Sequence, residues 1–109
     1  MNADRVSLTF GEYRLDFGSR QLFRGQDEVH LSPKAFDLLK LLVEKRPQAV
    51  AKAEIFGHVW PNTFVTDSNL ASLIAELRRA LDDRGPLPLF IRTVHGFGYQ
   101  LSEKVDGSA

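Results

Sequence analysis

Between positions 67 and 81 the chain gathers side chains suited to recognising another molecule: Ser68, Asn69, Ser72, Glu76, Arg78 and Arg79. Hydroxyls, a carboxamide, a carboxylate and two guanidinium groups serve hydrogen-bonded readout and phosphate pairing rather than bond making. Their spacing predicts a helix. At about 100° per residue, Leu70, Ile74, Leu77 and Leu81 fall within an arc of roughly 60°, an apolar seam for a core. Ser68, Asn69, Ser72, Glu76 and Arg79 then point the other way. Asp67 or Ser68 is the expected N-cap, because a short side-chain oxygen there accepts an otherwise unpartnered backbone N–H. Such a helix suits a DNA major groove, and it equally suits plain packing at a surface.

Catalysis has little to stand on. His30, His58 and His95 lie far apart without metal-ligand spacing, and the chain has no cysteine. We therefore expect no enzyme, no metal and no cofactor. Lys and Arg number 14 against 14 Asp and Glu, so the formal net charge is zero. That balance allows a local basic patch and limits nonspecific attraction to a polyanion. No apolar run approaches the roughly 18 residues of a membrane span, and residues 1–5 hold no signal core. The expectation is a soluble, cytoplasmic chain that makes no membrane contact, its lack of cysteine suiting a reducing compartment.

Stepping along the chain, 109 residues with 43% hydrophobic content suffice for one domain with a small core. We expect it to span 6–103, with 1–5 and 104–109 as flexible ends. Residues 6–10, 13–17, 21–24 and 28–31 are β-prone and separated by glycine-bearing turns, which predicts an antiparallel meander. In Tyr13-Arg14-Leu15-Asp16-Phe17 apolar and charged residues alternate, so one face is buried and the other wet. Ser32-Pro33 then opens a helix, an N-cap followed by proline where its missing N–H costs nothing. It runs to about Lys45 and is apolar around most of its circumference, hence central. Residues 49–51 suit a short strand, and 52–60 a second helix that Pro61-Asn62 stops. In the loop 61–66, Phe64 and Val65 are either apolar pins or a contact surface for a partner. Past the third helix, 82–88 is a turn, and 89–94 and 99–101 form a hairpin around His95-Gly96-Phe97-Gly98.

These elements resemble a known family. The run Leu31-Ser32-Pro33-Lys34-Ala35-Phe36-Asp37-Leu38-Leu39, the segment Val59-Trp60-Pro61, the segment Glu76-Leu77-Arg78-Arg79-Ala80-Leu81 and above all Ile91-Arg92-Thr93-Val94-His95-Gly96-Phe97-Gly98-Tyr99 look like the winged-helix output domain of OmpR/PhoB-type transcriptional regulators. The resemblance implies an α+β winged helix-turn-helix: a four-stranded N-terminal antiparallel sheet, a three-helix core and a C-terminal β-hairpin wing. It implies sequence-specific binding of double-stranded DNA, with the third helix in the major groove and the wing on the minor groove or phosphates.

Carried over by position, the DNA-binding residues are Ser68, Asn69, Ser72, Leu73, Glu76, Arg78 and Arg79 on the helix and Thr93, His95 and Tyr99 on the wing. Asn62, Thr63, Phe64 and Val65 form the loop that contacts RNA polymerase in the family. Several members carry arginines where this chain has Ala75 and Glu76, which implies weak monomeric binding helped by a homodimer or tandem sites. A carboxylate at 76 on the DNA side would repel phosphates, pair with Arg79, or accept from a cytosine. The resemblance also implies a sensory or receiver region outside these residues. Because Met1 directly precedes the domain, the arrangement expected is DNA-binding part first and sensing part after. The competing reading is a winged-helix protein-interaction module, favoured by Glu76 and the acidic pair Asp82-Asp83.

Overall fold

The computed structural model of the chain describes residues 7–83 and 90–102. Four short strands, β1 (Ser7–Phe10), β2 (Tyr13–Asp16), β3 (Gln21–Arg24) and β4 (Asp27–Val29), form an antiparallel sheet in sequential order. The alternation in β2 is realised: Tyr13 and Leu15 are buried, while Arg14 and Asp16 face outward. Leu15 sits opposite Leu22 on the inner face, and on the outer face Arg14 lies opposite Phe23 with its guanidinium 4.5 Å from the ring centre. β4 starts and ends earlier than the expected 28–31, because the chain must leave this edge to begin the first helix.

That helix, α1, covers Pro33–Lys45 with Ser32 as its cap, the serine hydroxyl accepting from the Ala35 N–H at 3.3 Å. Seven of its residues are buried, and it packs on α2 (Lys52–Val59), α3 (Asp67–Ala80) and the last strand. It is the central element, as its composition required. The cap of α3 falls one residue before the nearer of the two expected ones, Asp67. Thr66 is the N-cap, with extended backbone, and Asn69 Oδ1 accepts from the Thr66 N–H at 2.9 Å. Asp67 lies inside the helix, its carboxylate 3.5 Å from Lys52 Nζ.

The expected short strand is β5 (Val50–Ala51), and it joins β6 (Ile91–Val94) and β7 (Gly98–Leu101) in a second sheet of order β5-β7-β6. Gly98 makes that possible. A Cβ there would stand 1.9 Å from the Val50 carbonyl oxygen, so only glycine lets β5 and β7 approach. At the hairpin tip, Gly96 takes φ +74° and the Phe97 N–H donates to Val94 O at 2.9 Å. The wing is thus fastened on one edge to the helical core. The expected chain ends, Val6, Leu89 and the turn from 84 to 88 lie outside the described residues. Among those described, no helix is long and apolar enough to cross a membrane.

Candidate nucleic-acid interface

Leu70, Leu73, Ile74 and Leu77 turn α3 onto the core, leaving Ser68, Ala71, Ser72, Ala75 and Arg79 exposed. Positions 68, 72, 75 and 79 recur at the helical period, so they form one outward stripe of small side chains ending in a guanidinium. Ser68, Ser72 and Arg79 stand where expected. Leu73 does not: it is 9% exposed and belongs to the core. Its placement between Leu70 and Leu77 widens the apolar seam, and a side chain so buried has nothing to offer a partner. Asn69 is exposed, but its Oδ1 is engaged by both the N–H and the hydroxyl of Thr66, leaving the NH2 for readout.

Glu76 departs furthest from the expected solvent-side position. It is half-buried, with Oε2 accepting from the Ser32 N–H and Oε1 from the Ser32 hydroxyl, both at 2.9 Å. The carboxylate is therefore held at the start of α1, neither free on the DNA side nor bound to Arg79. Its negative charge sits where the helix dipole and an unpartnered N–H favour it.

Arg78 is likewise not a free base. Its Nε and Nη2 donate to the Ile91 carbonyl at 3.2 and 2.8 Å, and Nη2 also donates to Thr93 Oγ1 at 3.2 Å. β6 is an edge strand of its sheet, and the guanidinium fork supplies donors to it. The Arg79 side chain, in contrast, makes no hydrogen bond or ion pair among the described residues.

The rest of the charge around α3 is also committed. Asp83 is buried at 3% exposure, its Oδ2 accepting from the N–H groups of Phe90 and Ile91 at 3.0 and 2.9 Å. Asp82 lies 3.9 Å from the Arg24 guanidinium. Of the acidic pair that weighed against a polyanion, Asp83 works inside the fold and Asp82 stays at the surface beside Arg24, so the outward stripe carries its positive charge at Arg79 although the chain is neutral overall.

On the wing, Thr93 and His95 are exposed, with His95 at the tip. Tyr99 is half-buried, packed on the core opposite Thr93 and Val50, so only part of it faces outward. Sequence reasoning missed Arg92, which is exposed and unpaired among the described residues. The signal was present: next to the apolar Ile91 in a strand, its side chain must fall on the opposite face.

In the 61–66 loop, Asn62, Thr63 and Phe64 are exposed and Val65 is half-buried. Phe64 is 93% exposed, which removes it from any role as an apolar pin. The Thr63 N–H donates to Trp60 O at 3.2 Å and closes a turn from which Phe64 stands out.

A four-stranded sheet, three helices and a hairpin fastened by a short strand define a winged helix-turn-helix of the kind the OmpR/PhoB motifs implied. The profile of the family described as "Transcriptional regulatory protein, C terminal" matches residues 25–101, and the chain belongs to that family. Response regulator MprA of Mycobacterium avium (strain 104) is 34% identical over 103 residues, 94% of this chain and 45% of that protein. The DNA-binding domain of Klebsiella pneumoniae RstA, solved in complex with the RstA box, superposes with TM-score 0.79 at 26% identity, over 88% of this chain and 96% of that one. The Thermotoga maritima response regulator DrrB, an OmpR/PhoB homologue, gives TM-score 0.81 at 25% identity, over 89% of this chain and 44% of that one. The chain spans less than half the length of the curated relatives it matches.

Proposed function

We propose that residues 6–103 form a noncatalytic output domain of a bacterial-type transcriptional regulator that binds double-stranded DNA sequence-specifically in the cytoplasm. α3 enters the major groove and the β6–β7 wing reaches the minor groove or phosphates. The observation that carries this reading is the stripe Ser68, Ser72, Ala75 and Arg79, exposed on a helix whose Glu76 is bonded to Ser32 and whose Asp67 lies beside Lys52. Its small residues let the helix backbone approach base edges, the serine hydroxyls and the Asn69 NH2 supply readout, and Arg79 supplies a phosphate contact. On the wing, His95, Arg92, Thr93 and the outward part of Tyr99 complete the surface. The RstA domain, alike in fold, was solved on its DNA box, which supports the same use of the surface here.

The remaining partners follow from the same reading. A sensory or receiver region belongs to the longer protein, consistent with relatives about twice as long. A homodimer on paired sites compensates for the modest charge of one domain. The loop of Asn62, Thr63, Phe64 and Val65 contacts RNA polymerase through the exposed Phe64 ring. Phe64→Ser then lowers activated transcription while leaving duplex affinity and stability unchanged, since its side chain is almost wholly in water.

Selection from a random duplex library at low salt, followed by anisotropy titration of the enriched sequence, tests the proposal. Enrichment of one motif with salt-dependent affinity is the expected result. Failure to bind any duplex would favour the protein-interaction module instead.

A further inference from the structure

Among the described residues of α3, Arg78 alone has a side chain hydrogen-bonded to the wing. The three hydrogen bonds from Arg78 cross from the face of α3 beside the exposed stripe to the backbone of Ile91 and the hydroxyl of Thr93. Ile91 and Thr93 share a face of β6, turned toward the helix, while Arg92 lies on the other. Beyond this clamp the hairpin is held along β7 by pairing with β5 and by the buried Leu101, at the start of β6 by Asp83, and at Phe97, whose carbonyl accepts from the Lys52 N–H at 3.0 Å, while the side chains of His95 and Phe97 at the tip are exposed.

We propose that Arg78 is a positioning residue that sets the wing against α3, and so fixes the spacing between the major-groove and wing contacts. The proposal rests on the DNA-binding reading above. Simultaneous engagement of two grooves makes the second contact intramolecular, and its strength depends on how well the linked surface is pre-placed. A planar guanidinium bonded through Nε and Nη2 is a rigid spacer of this kind, where a lysine would be a single swivelling point. The adjacent arginines thus divide the work: Arg78 turns inward and places the wing, and Arg79 turns outward and meets phosphate.

The test compares the parent domain with Arg78→Gln, Thr93→Val and Arg79→Ala. It reads amide relaxation at 95–97 in the free protein, and hydroxyl-radical footprints and salt titrations on the selected duplex. Arg78→Gln is expected to raise mobility at the tip before DNA is added. It should then remove wing-side protection while major-groove protection persists, weakening affinity about tenfold. Thr93→Val should do the same more mildly, by a few-fold. Arg79→Ala should leave the tip unchanged, weaken both footprints together and reduce the salt slope by about 0.9.

The proposal is overturned if Arg78→Gln leaves the tip as ordered as in the parent and weakens both footprints in proportion with a reduced slope, the behaviour of a phosphate contact. Should Arg78→Gln fail to fold, Thr93→Val decides, and parent-like tip order and footprint in that variant reject the clamp. A parent that binds no duplex refutes the DNA-binding reading and this proposal with it, and is recognised because the failure precedes any substitution.

Discussion

Glu76 and Ser32 are 44 positions apart in the chain, and each carboxylate oxygen of the one is 2.9 Å from a donor of the other, the backbone N–H and the hydroxyl. The Ser32 hydroxyl meanwhile accepts from Ala35, so one serine both caps α1 and docks α3 on it. The pair ties the middle of α3 to the start of the central helix.

Glu76→Ala is therefore expected to destabilise the fold by about 2 kcal/mol, since it strands a half-buried N–H and removes two charge-assisted bonds. Glu76→Gln, whose carbonyl oxygen still accepts one of them, should cost about half as much. Thermal unfolding checks this, with a fall in Tm of roughly 10 °C for the alanine variant. Duplex affinity of the folded fraction should stay close to the parent's. Tighter binding by Glu76→Gln at unchanged Tm would return the carboxylate to the DNA side.

The same pair marks how far the residues alone could be read. Ser32-Pro33 announced the start of α1 within the chain itself, as the alternation in β2 announced its buried face. Local periodicity also put Ser68, Ser72 and Arg79 on the outside of α3. It gives an angle on a helix and not the neighbour found at that angle. Glu76 and Arg78 each flank the apolar seam, and their partners come from Ser32 and β6, distant segments that no wheel displays. Leu73 failed for a related reason, because the seam is wider than the four leucine and isoleucine positions that defined it. The family pattern assigned groove-facing roles to positions where this chain has turned the side chains to internal use.

Arg79 and Arg92 are the exposed guanidinium groups of helix and wing without partners among the described residues. Each alanine substitution is expected to lower the slope of log K against log salt by about 0.9, and the double substitution by about twice that. Stability should change by less than about 0.5 kcal/mol, as at other exposed positions without a structural bond. A salt titration with slopes equal to the parent's would remove both from the phosphate contacts.

Gly98→Ala tests the seating of the wing. With a Cβ 1.9 Å from Val50 O, β5 must move off β7, and the loss should exceed about 3 kcal/mol. Urea unfolding should show a lower midpoint, and Val50 and Ala51 amides should exchange faster. Parent-like exchange there would mean that β5 contributes nothing to holding the hairpin.

Tyr13 is buried, stacked on Phe10 and edge-on to Phe90, and its hydroxyl has no hydrogen-bond partner among the described residues. Tyr13→Phe should be neutral or stabilising by up to about 1 kcal/mol at neutral pH. Burial raises the phenol above its ordinary 10.0, against the opposing pull of Arg24. The folded state then keeps a proton that the unfolded chain gives up, so this contribution is intact below pH 10.0 and is lost as pH rises beyond it. The advantage of the phenylalanine variant over the parent should widen in that alkaline range, and a constant difference in midpoint across it would contradict the assignment.

Amide shift mapping of the domain titrated with a random-sequence duplex at low salt tests the proposed DNA surface most directly. The expected result is perturbation of Ser68, Ser72, Ala75 and Arg79 on α3 and of 92–97 on the wing, with the outer face of the four-stranded sheet at Arg14 and Phe23 silent. Perturbation confined to that sheet or to Phe64, or none anywhere, would contradict recognition by α3 and the wing.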